Sequence, residues 1–384
     1  MRFVLLVGVL SFFADFTYES ARSILGPFLL TLGATATAIG FISGVGELLG
    51  YGLRLVSGRW ADATGKFWPI TIFGYVVQMA SVPALALSHS VWQAALLIIL
   101  ERVGKAIRNP PRDVMLSHAG ARIGQYGFVF GIHEAMDQFG AMCGPLIIAA
   151  VIAHRGSYRE AFAILVIPAV FNLTMLMLAR LLYPDPGPLD EHSLSAKGQF
   201  PGAFWVYLAG AGLVAAGFAD YPVIAYHFQV SGTVTGQWIA IFYAIAMGVS
   251  GTASMIFGRM FDHHGFKILL PLTIVCAASA PLVFLGNFWI ALLGAGIWGI
   301  GMGVHESIIP AAVSPMVGED RRASAFGLFT AGYGVAWFLG SATIGWLYDK
   351  SISDVIIFSA LCQVLALPLL WRVSRFHKSV MSRT

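Results

Sequence analysis

Ionisable residues recur at helical spacing inside stretches of the sequence that are otherwise apolar. Asp15, Glu19 and Arg22 follow one another at positions i, i+4 and i+7, so an α-helix would place all three on one face. Glu134 and Asp137 lie three positions apart in a later apolar stretch. A carboxyl group in such surroundings can take up and release a proton, or it can neutralise a buried base.

The bases that could pair with these acids lie between positions 91 and 117. Lys105, Arg108 and Arg112 lie on one helix face with Glu101, and Pro110-Pro111 is expected to break or bend that helix near its end. Two interpretations are open. In the first, the acids and bases form a structural network that is costly to break. In the second, an acid carries a proton, and Lys105 or Arg108 binds an anionic group or tunes that acid.

Further candidates lie in the C-terminal half, where Asp220 and Glu306 accompany His227 and His305. These acids and histidines could relay a proton or ligate a transition metal, but a His followed directly by Glu is not a metal-binding spacing, and we assign no metal site. The proton-coupling candidates are Asp15, Glu19, Glu134, Asp137, Asp220 and Glu306. The substrate-cavity candidates are Arg22, Lys105, Arg108, Tyr221, His227, Trp298, His305 and Trp337.

The composition indicates which elements must hold these side chains. Hydrophobic residues make up 58% of the 384 positions and charged residues only 11%, whereas about 25% of a soluble domain is charged. The chain is therefore expected to be an all-α polytopic membrane protein. The net charge of +4 is scattered between apolar segments, which does not favour nucleic acid as a partner. Neither a Walker A sequence nor a nucleophile and base at motif spacing is present, so we expect neither an enzyme nor a cofactor.

Twelve apolar segments are predicted, each close to the about 20 residues that a spanning helix needs. They are 3–31, 38–57, 68–87, 91–117, 126–153, 161–183, 203–228, 237–257, 268–285, 288–315, 325–347 and 355–372. A polar linker at 184–200 divides the chain into predicted six-helix bundles at 1–183 and 201–384, the second with a short tail. Lys and Arg are concentrated in alternate loops, which predicts that both termini and the linker are cytoplasmic.

Two predicted loops repeat each other two hundred positions apart. The first contains Gly58, Arg59, Asp62, Gly65 and Lys66, and the second contains Gly258, Arg259, Asp262 and Gly265. This doubled motif, with the central linker, resembles the major facilitator superfamily over essentially the whole chain. The stretch 104–113 also looks like a signature of a poorly characterised prokaryotic branch of it. The resemblance implies two pseudo-symmetric bundles that rock around a central site, and it gives the repeated loops a role in the conformational switch.

The fifth segment carries small residues that would let another helix approach closely. Gly131, Gly140, Gly144 and Pro145 follow the spacing that resembles the antiporter motif of exporters in this superfamily, although residues 146–149 depart from its trailing glycines. The alternative is a glycine packing face with no directional meaning.

These observations predict a monomeric secondary transporter in the cell inner membrane that exports a small solute in exchange for protons. Its partners would be a small-molecule or ion substrate, protons and the lipid bilayer. One alternative is proton-coupled uptake of an anionic solute, which the bases near position 108 favour. Less favoured alternatives are a transition-metal transporter and a membrane sensor that transports nothing.

Overall fold

The structure is a computed structural model that describes residues 2–123, 126–184, 200–309, 312–313, 316–317 and 322–381. Within these ranges every regular element is helical, which confirms the predicted fold class. The α-helices are α1 Arg2–Thr31, α2 Ala36–Thr64, α3 Phe67–Ala84, α4 Val91–Ile123, α5 Tyr126–Arg155, α6 Tyr158–Ile164, α7 Val166–Leu182, α8 Gly202–Ala216, α9 Tyr221–Ser231, α10 Gln237–His264, α11 Leu269–Ala277, α12 Ser279–Leu285, α13 Phe288–Gly303, α14 Arg322–Tyr348 and α15 Ile352–Met381. Two 3₁₀ turns, Leu85–Leu87 and Gly265–Ile268, and a π-helical turn, Val304–Ile308, complete the described elements.

Each of the twelve predicted segments contains helix. Eleven helical stretches of the described chain are long and apolar enough to cross a membrane. The fourth segment, α4, is not among them, although its 33 residues are more than sufficient in length. Its composition is the reason, because six charged residues lie between positions 101 and 113. The main cluster of charged residues in this multi-pass membrane protein therefore lies on α4.

The sequence predicted a break or a bend at Pro110–Pro111, and α4 continues through both prolines without a break. Proline has no backbone N–H, and the carbonyl oxygen four residues earlier loses its helical donor. For Pro110 that oxygen belongs to Ala106, and it accepts a hydrogen bond from the Ser57 hydroxyl at 2.8 Å. A side chain from α2 thus replaces the missing donor, and such replacement is what lets proline occur inside membrane helices.

The seventh predicted segment is discontinuous, because the helix is interrupted between α8 and α9 at residues 217–220. Two carbonyl groups at the interruption are satisfied by side chains. The Ser359 hydroxyl donates to the Gly217 oxygen at 2.6 Å, and the Trp298 indole N–H donates to the Ala219 oxygen at 2.8 Å. Interrupted helices of this kind often form binding sites in transporters, and here the interruption ends at Asp220.

The chain forms two compact units. The first contains α1, α3 to α7, the part of α2 from Leu49 onward, and residues 228–244. The second contains Thr35, residues 36–48 of α2, α8, most of α9, the part of α10 from Ile245 onward, and all later helices. The predicted linker lies outside the described residues, apart from Pro184 and Phe200.

Both repeated motifs lie mainly in helices rather than in loops, which corrects the predicted segment ends at 57 and 257. α2 continues to Thr64 and α10 to His264. The next residue in each case is a glycine with positive φ, 62° at Gly65 and 60° at Gly265. Helices commonly end in this left-handed conformation, which only glycine adopts without strain. The second glycine of each motif therefore terminates a helix.

Candidate functional site

The first unit brings the acids of α1 against the bases of α4. Asp15 Oδ1 lies 3.8 Å from Lys105 Nζ and 3.7 Å from an Arg108 guanidinium nitrogen. Arg108 is almost completely buried, with 1% of its side chain exposed. One carboxylate thus faces two bases, an arrangement that both interpretations of the cluster allow.

Arg108 is held by two residues of α3 that sequence reasoning did not identify. Its Nε donates to Gln78 Oε1 at 2.6 Å, and another guanidinium nitrogen donates to the Tyr75 hydroxyl at 2.9 Å. Gln78 also donates to Glu101 at 2.9 Å. The sequence did contain a signal for these two residues. Gln78 is an amide in an otherwise apolar segment, three residues after Tyr75, and a buried amide requires hydrogen-bond partners.

A second chain of polar contacts links α4, α1 and α5. Arg112 pairs with Asp113 at 2.8 Å, and it donates to the Ser11 hydroxyl at 3.4 Å. Ser11 Oγ lies 2.7 Å from His133 Nε2, and His133 Nδ1 lies 3.4 Å from Asp137 Oδ2. The other carboxylate oxygen of Asp137 is buried without a hydrogen-bond partner. Ser11 precedes Asp15 by four residues on the same face, and that spacing was its only signal in the sequence.

His133, Glu134 and Asp137 are also the residues to consider for a metal ion. Their potential ligand atoms lie within 4.8 Å of one another. However, Glu134 is exposed and accepts a hydrogen bond from Gln138 at 3.0 Å, and His133 lies one hydroxyl away from the Arg112 cation. A nearby guanidinium opposes a divalent cation by direct repulsion. The position of Arg112 therefore disfavours a divalent cation at these three residues.

Glu19 and Arg22 lie in a neighbouring cluster, in which each contacts a tyrosine. The Tyr243 hydroxyl donates to Glu19, and Arg22 donates to the Tyr18 hydroxyl at 3.2 Å. The ring of Tyr18 also lies 4.0 Å from Lys105 Nζ, at cation–π distance. Tyr18 and Tyr243 were not among the predicted site residues, because aromatic residues are too common in this chain to stand out.

The glycines of α5 are divided between a packed and an open part of the helix. Atoms added at Gly140 or Gly144 would overlap the carbonyl oxygens of Phe12 and Phe16 on α1. Gly131, in contrast, is exposed with open space around it. Pro145 lies within α5, which is continuous. Two of the predicted glycines therefore set the close approach of α5 to α1 that brings Ser11 to His133.

The second unit contains a separate polar cluster around Trp337. Asp220 accepts hydrogen bonds from the Trp337 indole at 2.9 Å and from the Ser341 hydroxyl at 2.6 Å. The His305 ring lies 5.0 Å from Trp337, and its Nδ1 is hydrogen-bonded to the Tyr333 hydroxyl. His305 belongs to the π-helical turn, a feature often found at functional sites. Asp220 and His305 thus both contact Trp337, Asp220 through a hydrogen bond and His305 through its ring.

The other candidates of the C-terminal half lie apart from this cluster or only line it. His227 contacts the Tyr348 hydroxyl at 2.8 Å and the ring of Phe284, and Glu306 is exposed. Tyr221 and Trp298 are buried and their ring centres are 5.4 Å apart. A cavity beside His305 measures about 10 Å³, enough for one water molecule.

The basic residues of the two repeated motifs lie on the surface of the described structure. Arg59, Lys66 and Arg259 are exposed, and Gly58 and Gly258 are half-buried within their helices. The side chains of Asp62 and Asp262 lie outside the described part of the structure.

Comparison with known proteins identifies the family. The family model described as Major Facilitator Superfamily matches residues 5–219 and 202–382. An uncharacterised protein of Mycobacterium tuberculosis is 36% identical over 97% of this chain and 93% of its own. A protein of Klebsiella pneumoniae named multidrug resistance protein MdtH is 22% identical over 89% of this chain and 84% of its own. The crystal structure of the nucleoside transporter NupG shares the fold, with a TM-score of 0.74 and 13% identity over 97% of this chain and 98% of that one. The chain belongs to the major facilitator superfamily and is a membrane transporter rather than an enzyme.

Proposed function

We propose that the protein exports a small organic solute in exchange for protons, and that His133 and Asp137 hold the exchanged proton. The observation that carries the proposal is the pairing of these two titratable groups on α5. Nδ1 of His133 and Oδ2 of Asp137 are 3.4 Å apart, and the second oxygen of Asp137 is buried without a partner. A buried acid and a histidine in contact are the usual components of a proton-transfer site.

The geometry provides a place for one proton in either tautomer of the histidine. If Nε2 donates to Ser11, then Nδ1 is an acceptor that faces a carboxylate oxygen, and a proton between them relieves their repulsion. If Nδ1 carries the proton of the neutral imidazole, it donates to Asp137 Oδ2, and the exchanged proton binds the other carboxylate oxygen, which is buried without a hydrogen-bond partner. Asp15 is a weaker candidate because its carboxylate already pairs with two bases, Lys105 and Arg108.

Binding of the proton would affect contacts between three helices. His133 reaches α1 through Ser11, and Ser11 accepts a hydrogen bond from Arg112 of α4. A change of charge at Asp137 therefore alters the electrostatic balance of Arg112 and its partner Asp113. Such a change is a local event of the kind that can bias a transporter between two states.

Export of an organic solute is supported by two further observations. The similar protein of Klebsiella pneumoniae is named a multidrug resistance protein. In addition, Lys105, Arg108 and Arg112 each have a carboxylate oxygen within 4.0 Å, so an anionic solute would have to displace an existing partner. The outward direction also agrees with the resemblance of the α5 glycines to the exporter motif.

The test is proton movement in everted membrane vesicles that have been energised to an acidic interior. Panels of organic cations, organic anions and divalent metals are added, and the discharge of the gradient is followed by a fluorescent pH indicator. We expect one organic panel to discharge the gradient through the wild-type protein and the Asp137→Asn variant to fail. Glu134→Gln is the matched control, since it removes an exposed acid of the same helix and should retain exchange. An Asp137→Asn variant that exchanges as well as the wild type would exclude the proposed proton site.

Uptake of an anionic solute with protons is the second candidate, because Lys105 and Arg108 share a single acid in Asp15. In that case an anion would compete with Asp15 for these two bases. Under this alternative no organic cation discharges the gradient, and a labelled anion binds the purified wild-type protein but not the Arg108→Gln variant.

The distribution of Lys and Arg further supports a cytoplasmic location of both termini in the inner membrane.

A further inference from the structure

The cavity beside His305 lies inside the second unit, between α8, α11, α13 and the π-helical turn. It measures about 10 Å³, which holds one particle of the size of a water molecule. His305 and Cys276 of α11 both line it, and these residues are 1% and 5% exposed. The described residues of the lining include no charged side chain. Any occupant is therefore shielded from water and from neighbouring charges of the lining.

One ring nitrogen of His305 has a partner and the other has none. Nδ1 is hydrogen-bonded to the Tyr333 hydroxyl, and Tyr333 is not a lining residue of the cavity. Nε2 is buried without a hydrogen-bond partner. Buried polar atoms are almost always hydrogen-bonded, and each exception requires an explanation. An unpartnered imidazole nitrogen beside a cavity of this size indicates that the cavity holds a ligand.

The sulfur of Cys276 approaches the same part of α13. A carbon atom added at Gly301 would lie 3.3 Å from Cys276 Sγ, and the thiol is free. Gly301 precedes His305 by four residues, and helical side chains lean toward the N-terminus of their helix. The imidazole therefore leans toward the surface at Gly301, where the missing side chain leaves room for the sulfur. Gly301, Cys276 and His305 accordingly line one cavity.

The other polar side chains of the described lining already have partners. The Thr273 hydroxyl donates to the Leu269 oxygen at 2.8 Å, and the Tyr207 hydroxyl donates to the Ile309 oxygen at 2.7 Å. The groups left to bind an occupant are one imidazole nitrogen and one thiol. Sulfur and imidazole nitrogen are the ligands that Cu⁺ prefers, whereas Mg²⁺ and Ca²⁺ prefer oxygen. The donor set therefore favours a soft metal ion.

We propose that Cys276 and His305 form a binding site for one soft monovalent metal ion of the Cu⁺ class. Binding replaces the thiol proton, which is released to water, so a thiolate and a neutral imidazole hold the ion. A monovalent ion leaves this centre neutral, whereas a divalent ion leaves a net positive charge in an apolar lining, which is costly. Nδ1 then carries the ring proton and donates to Tyr333, the kind of contact that orients a metal-binding histidine. The site takes no part in the proposed exchange at His133 and Asp137.

The test is the retention of Cu⁺ by the purified full-length protein. The ion is added under anaerobic conditions, unbound ion is removed by desalting, and the metal content is measured by mass spectrometry. We expect the wild type to retain one ion per chain and the Cys276→Ser and His305→Gln variants to retain none. X-ray absorption spectra of the loaded wild type should show one sulfur and one nitrogen neighbour. Zn²⁺ added in the same way should not be retained.

The chain offers a matched control for each ligand. Cys362 is a buried thiol outside the lining of the cavity, and His227 is a buried histidine that contacts Tyr348. Cys362→Ser and His227→Gln should therefore each retain the ion. Size-exclusion profiles establish that each variant is folded, and His305→Gln provides the result if Cys276→Ser is not.

Four results would overturn the site. They are a wild type that retains no Cu⁺, a Cys276→Ser or His305→Gln variant that retains as much as the wild type, loss of the ion in both controls, and equal retention of Zn²⁺. The measurement needs neither a solute nor a proton gradient, so its outcome is independent of whether the proposed exchange is found.

Discussion

Replacing Asp15 with asparagine is expected to destabilise the first unit by about 3 to 5 kcal/mol, the usual cost of removing one partner from a buried ion pair. The substitution keeps the shape of the side chain and removes the charge that Lys105 and Arg108 share. At distances of 3.8 and 3.7 Å, each contact contributes about 4 kcal/mol of attraction at an effective dielectric constant of about 20. Desolvation of the three groups offsets much of this attraction. In the variant Arg108 stays buried, and only its hydrogen bonds to the neutral groups of Gln78 and Tyr75 compensate its desolvation.

The free energy of unfolding can be measured by titration with sodium dodecyl sulfate in mixed micelles, followed by circular dichroism. Glu160→Gln is the control, because Glu160 pairs with Arg155 at a shorter distance of 3.0 Å while the side chains are 48% and 70% exposed. Exposed pairs contribute about 0 to 1 kcal/mol. The double variant Asp15→Asn/Arg108→Gln should recover part of the loss. If Asp15→Asn lowers the free energy of unfolding no more than Glu160→Gln does, burial does not govern the strength of this network and the reasoning is refuted.

Two further substitutions test how α5 is positioned against α1. Gly144→Leu should lower the free energy of unfolding by about 1 to 3 kcal/mol through overpacking against Phe16. Gly131→Leu is the control, because Gly131 lies at an open position and its replacement should change the free energy of unfolding little. Equal effects of the two variants in the same titration would contradict the packing of α5 against α1. Ser11→Ala should alter the pH dependence of exchange because it removes the hydrogen bond to His133, and Ser11→Thr should retain it. An unchanged pH profile in Ser11→Ala would show that Ser11 does not orient the histidine.

Several features of the site could be predicted from single helices. The shared face of Asp15, Glu19 and Arg22 and that of Lys105, Arg108 and Arg112 follow from helical periodicity alone, because neighbours at i+3, i+4 and i+7 are fixed by the helix itself. The contact of Asp15 with both Lys105 and Arg108 is one of the pairings that such faces allow. In contrast, the partner of Glu19 could not be predicted, since Tyr243 is more than two hundred residues distant.

Neutral polar residues were the principal omission. Ser11, Tyr75 and Gln78 connect the charged groups, yet isolated serine, tyrosine and glutamine residues occur throughout the apolar segments. Nothing in the sequence distinguishes those that contact an arginine from those that bond to their own helix, as Ser81 does with Val77. The length of α2 and α10 was likewise underestimated, because the polar ends of these helices were interpreted as loops.

The amino-acid sequence by itself determined the class and the family of this protein, and it located twelve apolar segments that each contain helix. These properties depend on apolar composition, helical period and motif spacing, which are local in the chain. The tertiary structure decided which charges pair and that Ser57 compensates the proline in α4. Each of these contacts depends on the rotation and approach of separate helices, which close packing across the whole fold fixes and no single segment specifies.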